Sequence, residues 1–156
     1  MKFSDGNWMM LPGVRAHYAA EVYEAEVRDG GLDLLVPTRK IRHRGDTLEG
    51  PVLTIRLSSP MPDVIRVQAT HYIGESKKGP AFELEAQSGF SPEVFVEDEE
   101  VRLTSGAASV VWRRLEGDIS FESDTQAFAG SPARGLGLMQ VEGQGSFMMG
   151  QVSLGV

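Results

Sequence analysis

The chain has 156 residues, of which 41% are hydrophobic and 24% charged, a composition typical of a globular domain. Its formal net charge of -7 argues against a nucleic-acid partner and against an anionic membrane surface, because both require clustered lysine and arginine. It contains no cysteine, which excludes disulfides, thiolate nucleophiles and cysteine zinc sites, and with no signal-peptide pattern in view we expect a cytoplasmic protein.

The first predicted elements form a hairpin. Over residues 22–28, Tyr23, Ala25 and Val27 alternate with Val22 and three charged residues, and this period of two is typical of a half-buried strand. The segment 29–31 reads Asp-Gly-Gly, which favours a tight turn because glycine accepts positive φ. Residues 32–36 alternate again, so the pattern predicts a second strand paired with the first.

Short strands separated by glycine and proline continue along the chain. A strand over 52–57 is followed by a turn over 58–63 that contains two prolines, and alternation resumes over 64–72 and 82–86. Further strands are predicted near 93–97, 100–104, 107–113, 117–123, 125–129, 136–142 and 146–154. No window carries the apolar stripe of a helix. Many strands at about 8–12-residue spacing predict one all-β domain over 1–156, an antiparallel sandwich or a barrel.

The residues that could carry chemistry do not form a recognisable catalytic or metal-binding motif. The three histidines, His17, His43 and His71, are too widely spaced to place two imidazoles on one metal by local geometry. The acidic run over 97–100 could gather calcium, but its side chains would alternate in direction along a strand, so a solvated turn is the better interpretation. We therefore predict no catalytic residue, no metal ligand and no cofactor site in this sequence.

Aromatic side chains are the candidates for contact with sugar rings, since a flat ring complements the C–H face of a pyranose. We single out Tyr72, Phe90 and Trp112 for this role, while Trp112 also fits a half-buried position on a strand. The motif Gly6-Asn7-Trp8 is open to two interpretations. It matches the Gly-x-Trp at the start of lipocalins, whose tryptophan closes a ligand-carrying barrel, or Trp8 is simply an aromatic residue of the core or its rim.

Several sequence blocks resemble the α-xylosidase and α-glucosidase branch of glycoside hydrolase family 31. The opening octapeptide, Met-Lys-Phe-Ser-Asp-Gly-Asn-Trp, is the most specific, and Pro12-Gly13 follows it. The later blocks are Thr54-Ile55-Arg56, Ser59-Pro60, His71-Tyr72-Ile73-Gly74, Gly79-Pro80-Ala81-Phe82-Glu83-Leu84, Leu103-Thr104-Ser105-Gly106 and Val152-Ser153-Leu154-Gly155-Val156. Residues 107–145 match only loosely.

This resemblance implies a galactose-mutarotase-like N-terminal β-sandwich that packs on a (β/α)₈ barrel and shapes the substrate entrance. In such enzymes the barrel carries the two aspartates that cleave α-xylosides or α-glucosides with retention. We thus expect a fragment truncated just before the catalytic barrel, inactive alone, whose partners are that barrel and, in the parent enzyme, an α-linked sugar. An exposed docking face could also let the fragment self-associate. The alternatives are a free-standing carbohydrate-binding sandwich and a lipocalin-like carrier of a small ligand.

Overall fold

The computed structural model describes residues 2–6, 9–71, 87, 89–124 and 126–154. Within these ranges the regular secondary structure consists of antiparallel strands and one short 3₁₀ helix, Arg44–Leu48. The strands are β1 (Val14–Tyr18), β2 (Glu24–Arg28), β3 (Gly31–Pro37), β4 (Val52–Ser58), β5 (Arg66–Thr70), β6 (Glu93–Val96), β7 (Glu100–Ser105), β8 (Ala108–Arg113), β9 (Ile119–Ser123), β10 (Ala127–Ser131), β11 (Leu136–Val141), β12 (Gly145–Gly150) and β13 (Ser153–Leu154).

A four-stranded meander, β2-β3-β4-β5, forms one layer of the sandwich. Its first connection is the predicted two-residue turn: Asp29 and Gly30 both have positive φ, at 46° and 67°, and the pair Arg28–Gly31 closes the hairpin. Positive φ at both central residues is typical of a type I′ turn, whose twist matches that of the flanking strands. The turn therefore fixes the register of β2 against β3, and this register decides which of their side chains lie on the same face of the sheet.

A six-stranded sheet in the order β13-β10-β9-β8-β7-β6 forms the facing layer. A third sheet, β1-β11-β12, joins the start of the chain to its later part, since Val14 pairs with Val141 and Tyr18 with Gly137. Gly137 is required at this crossing: a Cβ there would lie 2.7 Å from the carbonyl oxygen of His17. The close approach of two backbones explains why this strand position has no side chain.

The core lies between the layers and follows the period of two. Alternate residues of β3 and β4 point inward and are fully buried, and they meet inward residues of β7, β8, β9 and β11. The central set comprises Leu32, Leu34, Val36, Leu53, Ile55, Leu57, Val101, Leu103, Val110, Trp112, Ile119, Leu136 and Leu138. This continuous apolar layer confirms the predicted all-β antiparallel sandwich.

The structure corrects several sequence-based expectations. The described sheets are open rather than closed into a barrel, so the lipocalin-like architecture is wrong. Strand β1 was not anticipated, β10 lies two residues later than expected, and the final predicted strand is two strands, β12 and β13. Trp8, the strand expected over 82–86 and most of the region from 72 to 88 lie outside the described residues.

Candidate functional site

The outer face of the four-stranded sheet carries an open groove with a cavity volume of about 510 Å³. Register places its side chains in two rows across all four strands. One row is Glu24, Leu35, Thr54 and Thr70, and the other is Glu26, Asp33, Arg56 and Gln68. Since neighbouring strands lie about 4.8 Å apart, the rows extend roughly 14 Å. The groove is thus long enough for a ligand of several linked units.

Ion pairs hold the charged part of the groove in place. The Arg56 guanidinium donates to Asp33 Oδ1 at 2.7 Å and to the carbonyl oxygen of Arg28 at 3.3 Å. The Arg28 side chain in turn donates to Glu26 Oε2 at 2.9 Å and lies 3.8 Å from Asp33. Asp33 and Arg56 are only partly exposed, so their pairing is less screened by solvent than that of Arg28 and Glu26. The groove consequently presents fixed hydrogen-bonding groups with nearly balanced charge.

An apolar cleft of about 170 Å³ adjoins the groove. Leu35 lines both cavities, so they meet at this side chain. Tyr23, Pro37, Ile41 and Val52 form most of the apolar wall. We call the groove and the cleft together the trough. One part of the trough is polar and the other apolar, and such a surface suits a ligand with two unlike faces.

The connection between β3 and β4 closes one side of the cleft and is organised by Asp46. Its carboxylate accepts the backbone N–H groups of Arg42 and His43, at 2.9 and 3.2 Å, and an Arg39 guanidinium N–H at 2.8 Å. The hydrogen bond from the Arg42 backbone holds the pKa of Asp46 below its ordinary value, with smaller contributions from His43 and Arg39. Glu21, also buried, accepts the Ile41 N–H at 2.7 Å. The 3₁₀ helix is therefore a firmly held wall.

The three predicted sugar-contact aromatics do not form one site. Trp112 is fully buried in the core, where its indole N–H donates to the carbonyl oxygen of Glu116 at 2.9 Å. A buried ring offers no face to a sugar, so the stacking role predicted for Trp112 is wrong and the strand-residue interpretation holds. Phe90 is half-buried before β6 and does not line the trough. Tyr72 lies outside the described residues.

The histidines and the acidic run occupy structural positions. His17 donates to Gln140 Oε1, His71 donates to the carbonyl oxygen of Val52, and His43 Nδ1 accepts the Gly45 N–H, each at 3.1 Å. Residues 97–99 of the acidic run form the exposed turn between β6 and β7, as predicted, whereas Glu100 is the first residue of β7 and is partly buried. Over the part of the chain that the structure describes, there is no group of three metal-ligating side chains. Nor does any helix in that part have the length and apolarity to cross a bilayer.

Sequence reasoning missed Tyr23 as a surface residue, and it placed Leu35 opposite Leu34 without naming it as a ligand contact. Tyr23 precedes β2 and is 55% exposed although its alternation placed it with Ala25, which packs against the core. Leu35 is 39% exposed because β3 turns its odd-numbered residues outward, between Glu24 and Thr54. The signal in the sequence was that Leu34 and Leu35 are adjacent, because neighbouring residues on a strand point to opposite faces.

Comparison with known proteins relates the chain to sugar-cleaving enzymes. No family model matches it. An alpha-xylosidase of Emericella nidulans is 31% identical over 128 residues, which cover 82% of this chain and 15% of that protein. The alpha-xylosidase XylQ of Lactiplantibacillus pentosus is 27% identical over 160 residues, covering the whole chain and 20% of that protein. The chain thus spans a fifth or less of the length of these two curated relatives.

Solved structures agree on the fold. The cycloalternan-forming enzyme of Listeria monocytogenes, in complex with a pentasaccharide substrate, superposes with a TM-score of 0.59 over 84% of this chain and 11% of that chain. The protein lmo2446 of the same organism gives the same score, and both are 15% identical to this sequence, which shows a shared fold alone. The sequence matches go further: the chain is related to part of the larger alpha-xylosidases, and its predicted resemblance to this branch of glycoside hydrolase family 31 is confirmed.

Proposed function

We propose that this chain acts as a non-catalytic β-sandwich domain of a retaining α-glycosidase, an α-xylosidase or α-glucosidase. The observation that carries the proposal is the 31% identity to an alpha-xylosidase over 82% of this chain and only 15% of that enzyme. A region of that size is one domain among several, and hydrolysis with retention needs a nucleophile and an acid/base about 5 Å apart. In our proposal those two carboxylates belong to a (β/α)₈ catalytic barrel on which this sandwich packs.

The described surface supports a packing role. Val152 and Leu154 are both exposed at the β13 edge of the six-stranded sheet. Beside them, a cleft of about 300 Å³ is lined mainly by apolar side chains, among them Val67, Phe121 and Met148. An apolar edge of this kind is stabilised when a neighbouring domain covers it. The sandwich would thereby hold the polar trough near the substrate entrance of the barrel.

Two measurements test the proposal. The purified chain should not hydrolyse p-nitrophenyl α-xyloside or p-nitrophenyl α-glucoside. Hydrolytic activity that co-elutes with the chain during purification would contradict a non-catalytic role. The second is complementation: an XylQ from which the matched 160 residues have been removed should regain soluble α-xylosidase activity when the chain is supplied. A folded chain that neither co-purifies with the truncated enzyme nor restores activity would count against packing on the barrel.

A further inference from the structure

The charge and the lining of the trough are those of a carbohydrate site. Its polar groove is lined by three carboxylates and two guanidinium groups, so its formal charge is close to zero in a chain of net charge -7. Arg28 and Arg56 are both committed to carboxylates within the groove. A phosphate or an acidic peptide requires guanidinium groups that are not already neutralised, so an anionic ligand does not fit the groove and a neutral one is accommodated.

The groups along the groove suit a ligand rich in hydroxyls. Carboxylate oxygens accept hydrogen bonds, a guanidinium donates them, and the amide of Gln68 and the hydroxyl of Thr54 do both. The Thr70 hydroxyl donates to the carbonyl oxygen of Thr54 at 3.3 Å, so it can accept a hydrogen bond from a ligand. These groups repeat across the four strands at roughly 4.8 Å intervals, and the ion pairs already hold two of them in place. A ligand with many hydroxyl groups along its length meets hydrogen-bonding partners at each strand, and little conformational entropy is lost in ordering the side chains that the ion pairs already hold.

The apolar part of the trough supplies the second requirement. A pyranose ring has a C–H face as well as a rim of hydroxyls, and the C–H face packs on aromatic or aliphatic surface. Tyr23 provides an exposed ring on the cleft wall, and Leu35 stands where the cleft meets the groove. The groove volume of about 510 Å³ falls within the range of about 300–1,000 Å³ typical of small-molecule sites.

We propose that the trough binds a short neutral oligosaccharide that lies across β2 to β5. One sugar ring packs against Tyr23 and Leu35, and the hydroxyls of further rings bond to Gln68 and Thr70. The proposal stands on the trough alone and goes beyond the packing role, because a domain that only packs on a barrel needs no ligand of its own. Binding would hold a sugar polymer close to the enzyme and raise its local concentration.

The test is a titration of the ¹⁵N-labelled chain followed by NMR. Maltohexaose and a xyloglucan heptasaccharide serve as neutral probes, and a hexameric polygalacturonate as an anionic probe of similar length. A neutral probe should give saturable shifts of the backbone amides of Leu35, Thr54 and Gln68, and the anionic probe should give none at the same concentration. The variants Tyr23→Ala and Gln68→Ala should each weaken binding by at least fivefold.

A matched control separates stacking from general loss of surface aromatics. Phe128 on β10 is 46% exposed, similar to Tyr23, and lies on the other sheet, so Phe128→Ala should leave the affinity unchanged. Far-UV circular dichroism checks that each variant is folded, and Gln68→Ala decides the matter should Tyr23→Ala not fold. The proposal would be overturned if no shifts were seen, if the shifts mapped away from the trough, or if the anionic probe bound better. It would also be overturned if the trough signals changed with protein concentration, because the trough would then bind a second copy of the chain. None of these results bears on the complementation by the XylQ truncation, so the two proposals fail separately.

Discussion

Leu34 and Leu35 are neighbours on β3 that point to opposite faces, and they give the sharpest test of the sandwich. Leu34 is fully buried between the sheets, whereas Leu35 is 39% exposed in the trough. Replacing a buried leucine by alanine costs about 2.7–5 kcal/mol, because a cavity is added to the lost transfer energy. For Leu35 the surface is open to solvent, no cavity remains, and only part of the roughly 1.5–3 kcal/mol for a fully buried leucine is lost, about 1 kcal/mol.

Thermal unfolding and urea denaturation of the two variants both measure this difference. For a chain of this size, 1 kcal/mol corresponds to about 2–4 °C in Tm, so Leu34→Ala should lower Tm by roughly 5–20 °C and Leu35→Ala by only a few degrees. The denaturant slope should be the same in both variants, since both unfold the same surface. Equal losses in the two variants would contradict the exposed position of Leu35, and a larger loss for Leu35→Ala than for Leu34→Ala would mean that β3 is shifted by one residue, which would move the trough residues into the core.

Two further predictions concern backbone and charge. Asp46→Asn should lower the urea midpoint at neutral pH. Because the folded-state pKa of Asp46 lies below the ordinary 3.8, the ionised carboxylate stabilises the fold above that pH. The difference in urea midpoint between the variant and the wild type should vanish as the pH falls through the lowered pKa. Equal differences at neutral and strongly acidic pH would refute this role, in which Arg39 and His43 are the basic side chains that face the carboxylate. Gly106→Ala should cost more than the roughly 1–2 kcal/mol of a left-handed alanine, because φ is +58° and the new Cβ would overlap Asp63 Oδ1, which accepts the Ala107 N–H. Gly143→Ala is the control, because Gly143 has a φ of +71° and a Cβ added there would have no atom within 4 Å. If thermal unfolding showed equal losses of stability for the two variants, the overlap with Asp63 would not explain the cost of Gly106→Ala.

Local patterns were sufficient for the strands that pair with their neighbours. The alternation over 32–36 and the Asp-Gly turn predicted β3 and the β2–β3 hairpin, and both are confirmed. Strand β1 was missed because Val14–Tyr18 contains arginine and histidine among few apolar residues, and its partner β11 lies more than a hundred residues later. Pairing at that distance leaves no trace in a short sequence window.

The candidate site was beyond sequence reasoning for a similar reason. The row from Glu24 through Leu35 and Thr54 to Thr70 exists only because three separate registers align. Aromatic residue type alone pointed to Trp112, which the structure buries, and passed over Tyr23, which it exposes. Residue type predicts what a side chain can do, while register and burial decide whether a ligand can reach it.

The pairing of β1 with β11 also constrains how the molecule is made. Ribosomes deliver the chain from its amino end, so residues 14–18 emerge long before 136–141, to which they bond. During that interval the early segment lacks β11, its partner, whereas among the described residues the strands β2 to β5 pair with one another. During synthesis the segment 14–18 should therefore remain cleavable by protease until residues 136–141 have emerged and paired with it.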